Sequence, residues 1–218
     1  MSKAVLELQR KCWDSNISCD LLLLNALSVA KALSIQNMVD FCNQELSGYV
    51  GIDSSIIPQY RKCTNAFQSR KRGAKEWHSE SLSIESDLLN DYIRDPISEI
   101  CVLASSSKDF YIKVPSVEEV RIAQQTLNLH ETTDVRIVFP KYLFYSIAFR
   151  IRCIVAEWTN ELVQKGILGE DLLFSTIEKE KAQNMPEINI IINGNVVNSN
   201  VAGLNSTLMN SLFFQEKP

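Results

Sequence analysis

A chain of 218 residues is long enough for one medium domain with a buried core and a small appendage. With 45% hydrophobic and 22% charged residues, its composition is that of an ordinary globular protein. A net charge of −4 argues against a generic nucleic-acid binder, though it leaves room for a local basic patch.

In chain order, residues 3–13 have apolar positions at Val5, Leu6, Leu8 and Trp13, consistent with a short helix. Ser18 or Asp20 can cap a second helix over 20–33. Its leucines, from Leu21 to Leu24 and on through Leu27 to Leu33, cover most of its circumference and predict burial between neighbours. A third helix starts at Ser34, with Ile35, Met38, Val39, Cys42 and Leu46 on one face. Gly48 stands where a residue tolerant of positive φ can end it. Pro58 then fixes the backbone before Tyr60 and Arg61. Glu45 shares a helical stripe with Phe41 and Tyr49. A carboxylate, two tyrosines and an arginine therefore flank one loop. Glu45 and Arg61 either pair across it and pin it, or the group forms an exposed recognition site.

These residues carry a resemblance. The run Glu45-Leu46-Ser47-Gly48-Tyr49, a short loop and Pro58-Gln59-Tyr60-Arg61 resembles the AbiTii family of bacterial abortive-infection and antiphage loci. The family pattern has a leucine-rich helix ending in Ala-x-x-Leu, matched here by Ala30 and Leu33. It departs at Phe41 for tryptophan, Ser47 for asparagine, Ile57 for leucine and Leu24 for arginine. The resemblance covers residues 18–62 and implies a biological setting rather than a reaction.

From 61 to 77 the charge changes. Arg61, Lys62, Arg70, Lys71, Arg72 and Lys75 precede the first acid, Glu76, with Phe67 and Trp77 interleaved. That pattern suits either a solvated loop or strand, or an anion or nucleic-acid contact at Arg70, Lys71, Arg72 and Lys75. Helices are expected around Ile84–Leu89 and Pro96–Leu103. A strand is expected over Asp109–Val114, then a Ser116/Glu119 capping box and a helix to about Leu129. A second strand over Asp134–Phe139 could pair with the first, and a parallel pairing would need a right-handed crossover. The most regular helix spans Lys141 to Lys165, with Phe144, Ile147, Ala148, Ile151, Ile154, Val155, Trp158 and Leu162 as a core stripe. Gly166 and Gly169 end it, and a last helix is expected from Glu170 to Ala182.

The tail has a different character. No residue from Ile188 to Phe214 is charged, and asparagines are threaded through Ile, Val and Leu. Ile190, Ile192, Asn193, Gly194, Asn195 and Val197 read as a β-hairpin. An isolated hairpin is marginal in water, so the expected partner is the same segment of other copies. The domain reading is an AbiTii-like helical domain over 1–183 and an uncharged oligomerisation segment over 186–218.

Chemistry is sparsely signalled. No GxGxxG, GxxxxGK(S/T) or GxSxG motif occurs, so no cofactor is expected and no catalytic set is assigned. Glu76, His78 and Glu80 read as surface polar sequence. Two histidines and six cysteines without a CxxC pair give no metal site and suggest reduced thiols. Without a leader or an 18-residue apolar run, no membrane contact is expected and the expected compartment is the cytoplasm. The fold expected is mainly α, a helical domain with a small β element and an Asn-rich C-terminal β segment. The function expected is a non-enzymatic, self-associating antiphage component that recognises a phage or host protein. The alternative is a nucleic-acid-targeting toxin using 61–77.

Overall fold

A computed structural model describes residues 2–64, 66–80 and 90–185. Among them are seven α-helices and six short strands in the order α1 (Ala4–Trp13), α2 (Cys19–Leu33), α3 (Gln36–Ser47), β1 (Lys62–Thr64), β2 (Ala66–Lys71), β3 (His78–Glu80), β4 (Asn90–Tyr92), α4 (Ile97–Ser105), β5 (Phe110–Lys113), α5 (Val117–Thr126), β6 (Thr133–Pro140), α6 (Lys141–Gln164) and α7 (Thr176–Gln183). The described part is mainly helical with a small antiparallel sheet. The expected helix at Ile84–Leu89 and the tail hairpin lie outside the described residues.

Helix α6 is the spine. Phe144, Ile147, Ile151, Ile154, Val155, Trp158 and Leu162 are buried along it, and α1, α2 and α4 pack against it. The stripe follows from apolar residues recurring at helical spacing. Helix α2 is less enclosed than its composition predicts. Leu22, Leu23, Ala26, Val29, Ala30 and Leu33 are buried, but Leu21 and Leu24 face outward. A helix packed on two sides still leaves a solvent-facing strip. Trp13, one of the apolar positions of α1, is 75% exposed at its last turn, where no element of the described residues closes over it.

The two strands expected around α5 do pair, and they run antiparallel, with Phe110 opposite Pro140 and Lys113 opposite Ile137. The four-stranded sheet has the order β3-β2-β6-β5. The basic segment supplies β2, antiparallel to β6, so it is largely strand rather than loop. Strands β1 and β4 form a separate two-stranded ladder. Helix α5 stops at Thr126, short of Leu129, because Asn128 turns left-handed at φ +52°. Helix α7 starts at Thr176 and not at Glu170. Asp171 and Leu172 both take positive φ in a tight Glu170–Leu173 turn, and Ser175 with Glu178 then forms a capping box. That box carries the stronger start signal.

Candidate functional site

The loop after α3 is tied down from within. Glu45 is fully buried and accepts hydrogen bonds from Tyr49 Oη at 2.7 Å and Tyr60 Oη at 2.6 Å. Arg61, also fully buried, meets the same carboxylate through Nη2 at 2.5 Å and Nε at 3.2 Å. Its Nη1 donates to the carbonyls of Ile93 and Asp95 at 2.8 and 2.9 Å, and its guanidinium lies 4.6 Å from the Tyr49 ring centroid. Burial raises the Tyr49 and Tyr60 phenols above their ordinary range, and the Glu45 charge adds to it. Burial disfavours the Arg61 cation, but the Glu45 carboxylate outweighs it and raises the guanidinium further. The Arg61 cation is therefore favoured, and all three of its guanidinium nitrogens donate hydrogen bonds.

Gly48 completes this lock. It sits at φ +79°, and a Cβ there would lie 2.7 Å from the Arg94 carbonyl oxygen. The adjacent Tyr49 amide donates to that same oxygen at 2.7 Å. Arg94 reaches back to the carbonyls of Tyr49 and Ile52. Pro58 is buried beside the network. Glu45, Gly48, Tyr49, Pro58, Tyr60 and Arg61 are thus brought together, and what they hold is the junction of α3, β1 and the segment leading into α4. Glu45, Tyr49 and Arg61 present no accessible side-chain surface, so their contribution to any recognition is to support the loop.

The basic residues lie elsewhere, on and beside the outer face of the sheet. Arg70 bonds Asp134 at 3.1 Å, and Arg72 approaches the same carboxylate at 3.7 Å. Lys71, Arg72 and Lys75 are exposed at the β2–β3 turn. Arg70 and Arg136 both lie against the Trp77 ring, at 4.5 and 4.2 Å from its centroid. Arg136 belongs to β6 and was not singled out in the sequence, because only the register places it beside Gln68 and Trp77.

A second feature absent from the sequence reading is a groove of about 770 Å³ between the end of α1, the start of α2, α4 and the first half of α6. Trp13, Val102, Tyr145 and Phe149 wall it and are all exposed. Tyr145 and Phe149 stack at 6.2 Å with ring planes 10° apart. Arg152 on its floor is engaged with the backbone carbonyls of Lys11, Cys12, Asp14 and Ile17. Tyr145 and Phe149, four residues apart and off the buried stripe of α6, were the available signal. Cys19 and Cys101 also line this groove. The Cys19 thiol donates to the Ala148 carbonyl, and its proximity, with that of the Cys19 and Asp20 amides, lowers the Cys101 thiol to about 6.

Among the described residues no group of three His, Cys, Asp or Glu side chains is placed to hold a metal, and no helix is long and apolar enough to cross a membrane. A family profile described as AbiTii matches residues 3–187. The chain belongs to the AbiTii family. AbiTii is associated with abortive-infection antiphage defence. The match takes in the buried lock, the groove and the sheet, while almost all of the uncharged tail follows it. No curated protein and no solved structure matches the chain. The six tail residues named for oligomerisation, Ile190 to Val197, lie outside the described residues of this AbiTii chain.

Proposed function

We propose that the chain is a non-enzymatic, self-associating component of abortive-infection defence, working by assembly and by recognition of a phage or host component. AbiTii membership gives the defence setting. The observation that carries the assembly reading is the aromatic groove. Its walls are exposed rings and aliphatic groups, and its basic floor residue, Arg152, already donates from Nη1 and Nη2 to backbone carbonyls. The occupant it suits is the uncharged 188–214 segment of a neighbouring copy, which ends in Leu212, Phe213 and Phe214. Burying such side chains is favourable by roughly 25 cal/mol per Å² of apolar surface. The buried Glu45–Arg61 lock would hold the domain rigid beneath this contact.

Phage challenge of cells tests the reading. Cells carrying the full chain should restrict a susceptible phage, whereas a chain ending at Met185, or one carrying Val102→Asp with Phe149→Asp, should lose that restriction. Full restriction by all three would remove assembly from the account.

A further inference from the structure

The outer face of the four-stranded sheet carries an ordered row of rings and guanidinium groups. The register puts Gln68 opposite Arg136 and Arg70 opposite Asp134, while Phe67, Ile137 and Phe139 turn to the core. Phe110 lies opposite Pro140 on that outer side, and Phe110 and Ile112 are 45% and 47% exposed. Arg136 stands between two rings, 4.2 Å from the Trp77 centroid and 5.8 Å from that of Phe110. Arg70, from the same sheet face, also lies against the Trp77 ring, 4.5 Å from its centroid. Phe110, Arg136, Trp77 and Arg70 are therefore neighbours on one face of the sheet.

The planes are held in advance. Gln68 Oε1 accepts both Nε and Nη2 of Arg136, at 2.8 and 2.6 Å, and Asp134 accepts from Arg70. At the edge of the row, Lys71, Arg72 and Lys75 project from the β2–β3 turn. These five cations outnumber the acids beside them, Asp134 in the row and Glu76 and Glu131 next in sequence to Lys75 and Thr132, so the patch is positive on a chain whose net charge is −4.

We propose that this face binds single-stranded nucleic acid, with unstacked bases on the Trp77 and Phe110 rings and phosphates at Lys71, Arg72 and Lys75. Rings on a sheet face accept bases that are not already paired, and flanking cations track the backbone. A duplex keeps its bases stacked inside and meets only the cations. An acidic protein segment would use the cations without the rings. The proposal stands on observations separate from those behind the assembly reading.

Fluorescence anisotropy of the full chain tests it. The probes are labelled RNA and DNA single strands of about 15 nucleotides, within the usual site size, the matching duplexes, and heparin. Single strands should bind at least tenfold tighter than duplex, and binding should weaken with salt. Trp77→Ala combined with Phe110→Ala should lose at least tenfold in single-strand affinity, while Trp77→Phe, which keeps a ring, should retain most of it. Each neutralisation among Lys71→Gln, Arg72→Gln and Lys75→Gln should shrink the salt slope by about 0.7. Tighter binding of either sugar supports the proposal and assigns the class. No single-strand binding at low salt would overturn it. So would equal binding of duplex and heparin that the ring variants leave unchanged, which is the signature of a generic anion patch or an acidic-protein site.

Discussion

At the scale of single residues, the strongest constraint is the Glu45–Arg61 pair. Both side chains are fully buried, and both are hydrogen-bonded from inside, Glu45 by two tyrosines and Arg61 by two carbonyls as well as the carboxylate. Removing one partner of a buried pair strands the other charge, at about 3–5 kcal/mol. Arg61→Ala should therefore lower urea-unfolding stability by about that amount, and Glu45→Gln should be nearly as damaging because Arg61 stays charged. Loss of under about 1 kcal/mol in either would contradict the lock. Half of this network was legible in the sequence. Glu45, Tyr49, Tyr60 and Arg61 are close along the chain, whereas the carbonyls of Ile93 and Asp95 that fix Arg61 are more than thirty residues away and carry no local signal. Cys101 gives a second test. Its thiol is drawn down by the Cys19 thiol and the α2 amides, whereas burial pushes Cys12 up to about 11 and Cys42 up to about 12. Alkylation with iodoacetamide should modify Cys101 first, with a half-maximal rate well below the ordinary thiol value of about pH 8.5. Faster labelling of Cys12 or Cys42 would contradict this.

Among the elements, long periodic segments were readable and short ones were not. Helix α6 buries nine side chains, seven of them from the expected stripe of eight, and its start and end lie within a residue of those expected. Strands β1, β3 and β4 have three residues each, too few for an alternation to show. The 170–173 turn was hidden because Asp171 and Leu172 adopt left-handed backbone without being glycines. Trp158 sits fully buried on α6, and its Nε1 has no hydrogen-bond partner among the described residues. The cost of Trp158→Ala, about 3–5 kcal/mol in chemical denaturation, should then be packing alone. At α7, partial burial raises the Glu178 carboxyl, but amide donors from Gly169, Ser175 and Leu168 prevail and hold it at about 2. A depressed carboxyl contributes stability above its unfolded value of about 4.3 that is lost as the pH falls towards 2. Wild type should lose more stability than Glu178→Gln between pH 5 and pH 2, in melts followed by circular dichroism. Parallel pH profiles would show that the cap carries no such contribution.

For the whole molecule, the sequence made the helical class and the AbiTii setting legible through one compact motif and one long helix. It did not reveal which surfaces stay open. Trp13 reads only as an apolar position of a short helix and lies on a groove, and Arg136 reads only as an alternating strand position and lies near two rings. Exposure of this kind depends on how α1, α4 and the sheet are arranged around α6, which no local pattern encodes. Two faces result, one apolar and aromatic, one cationic and aromatic, on a domain stiffened by a buried ion pair. The assembly reading joins the first of these faces to the chargeless segment after α7. Static light scattering of the purified full chain, beside a chain ending at Met185, addresses that link directly. The full chain should weigh a whole-number multiple of 24.7 kDa and the shorter one a single copy. A single-copy mass for the full chain, or the same multiple for both, would contradict it.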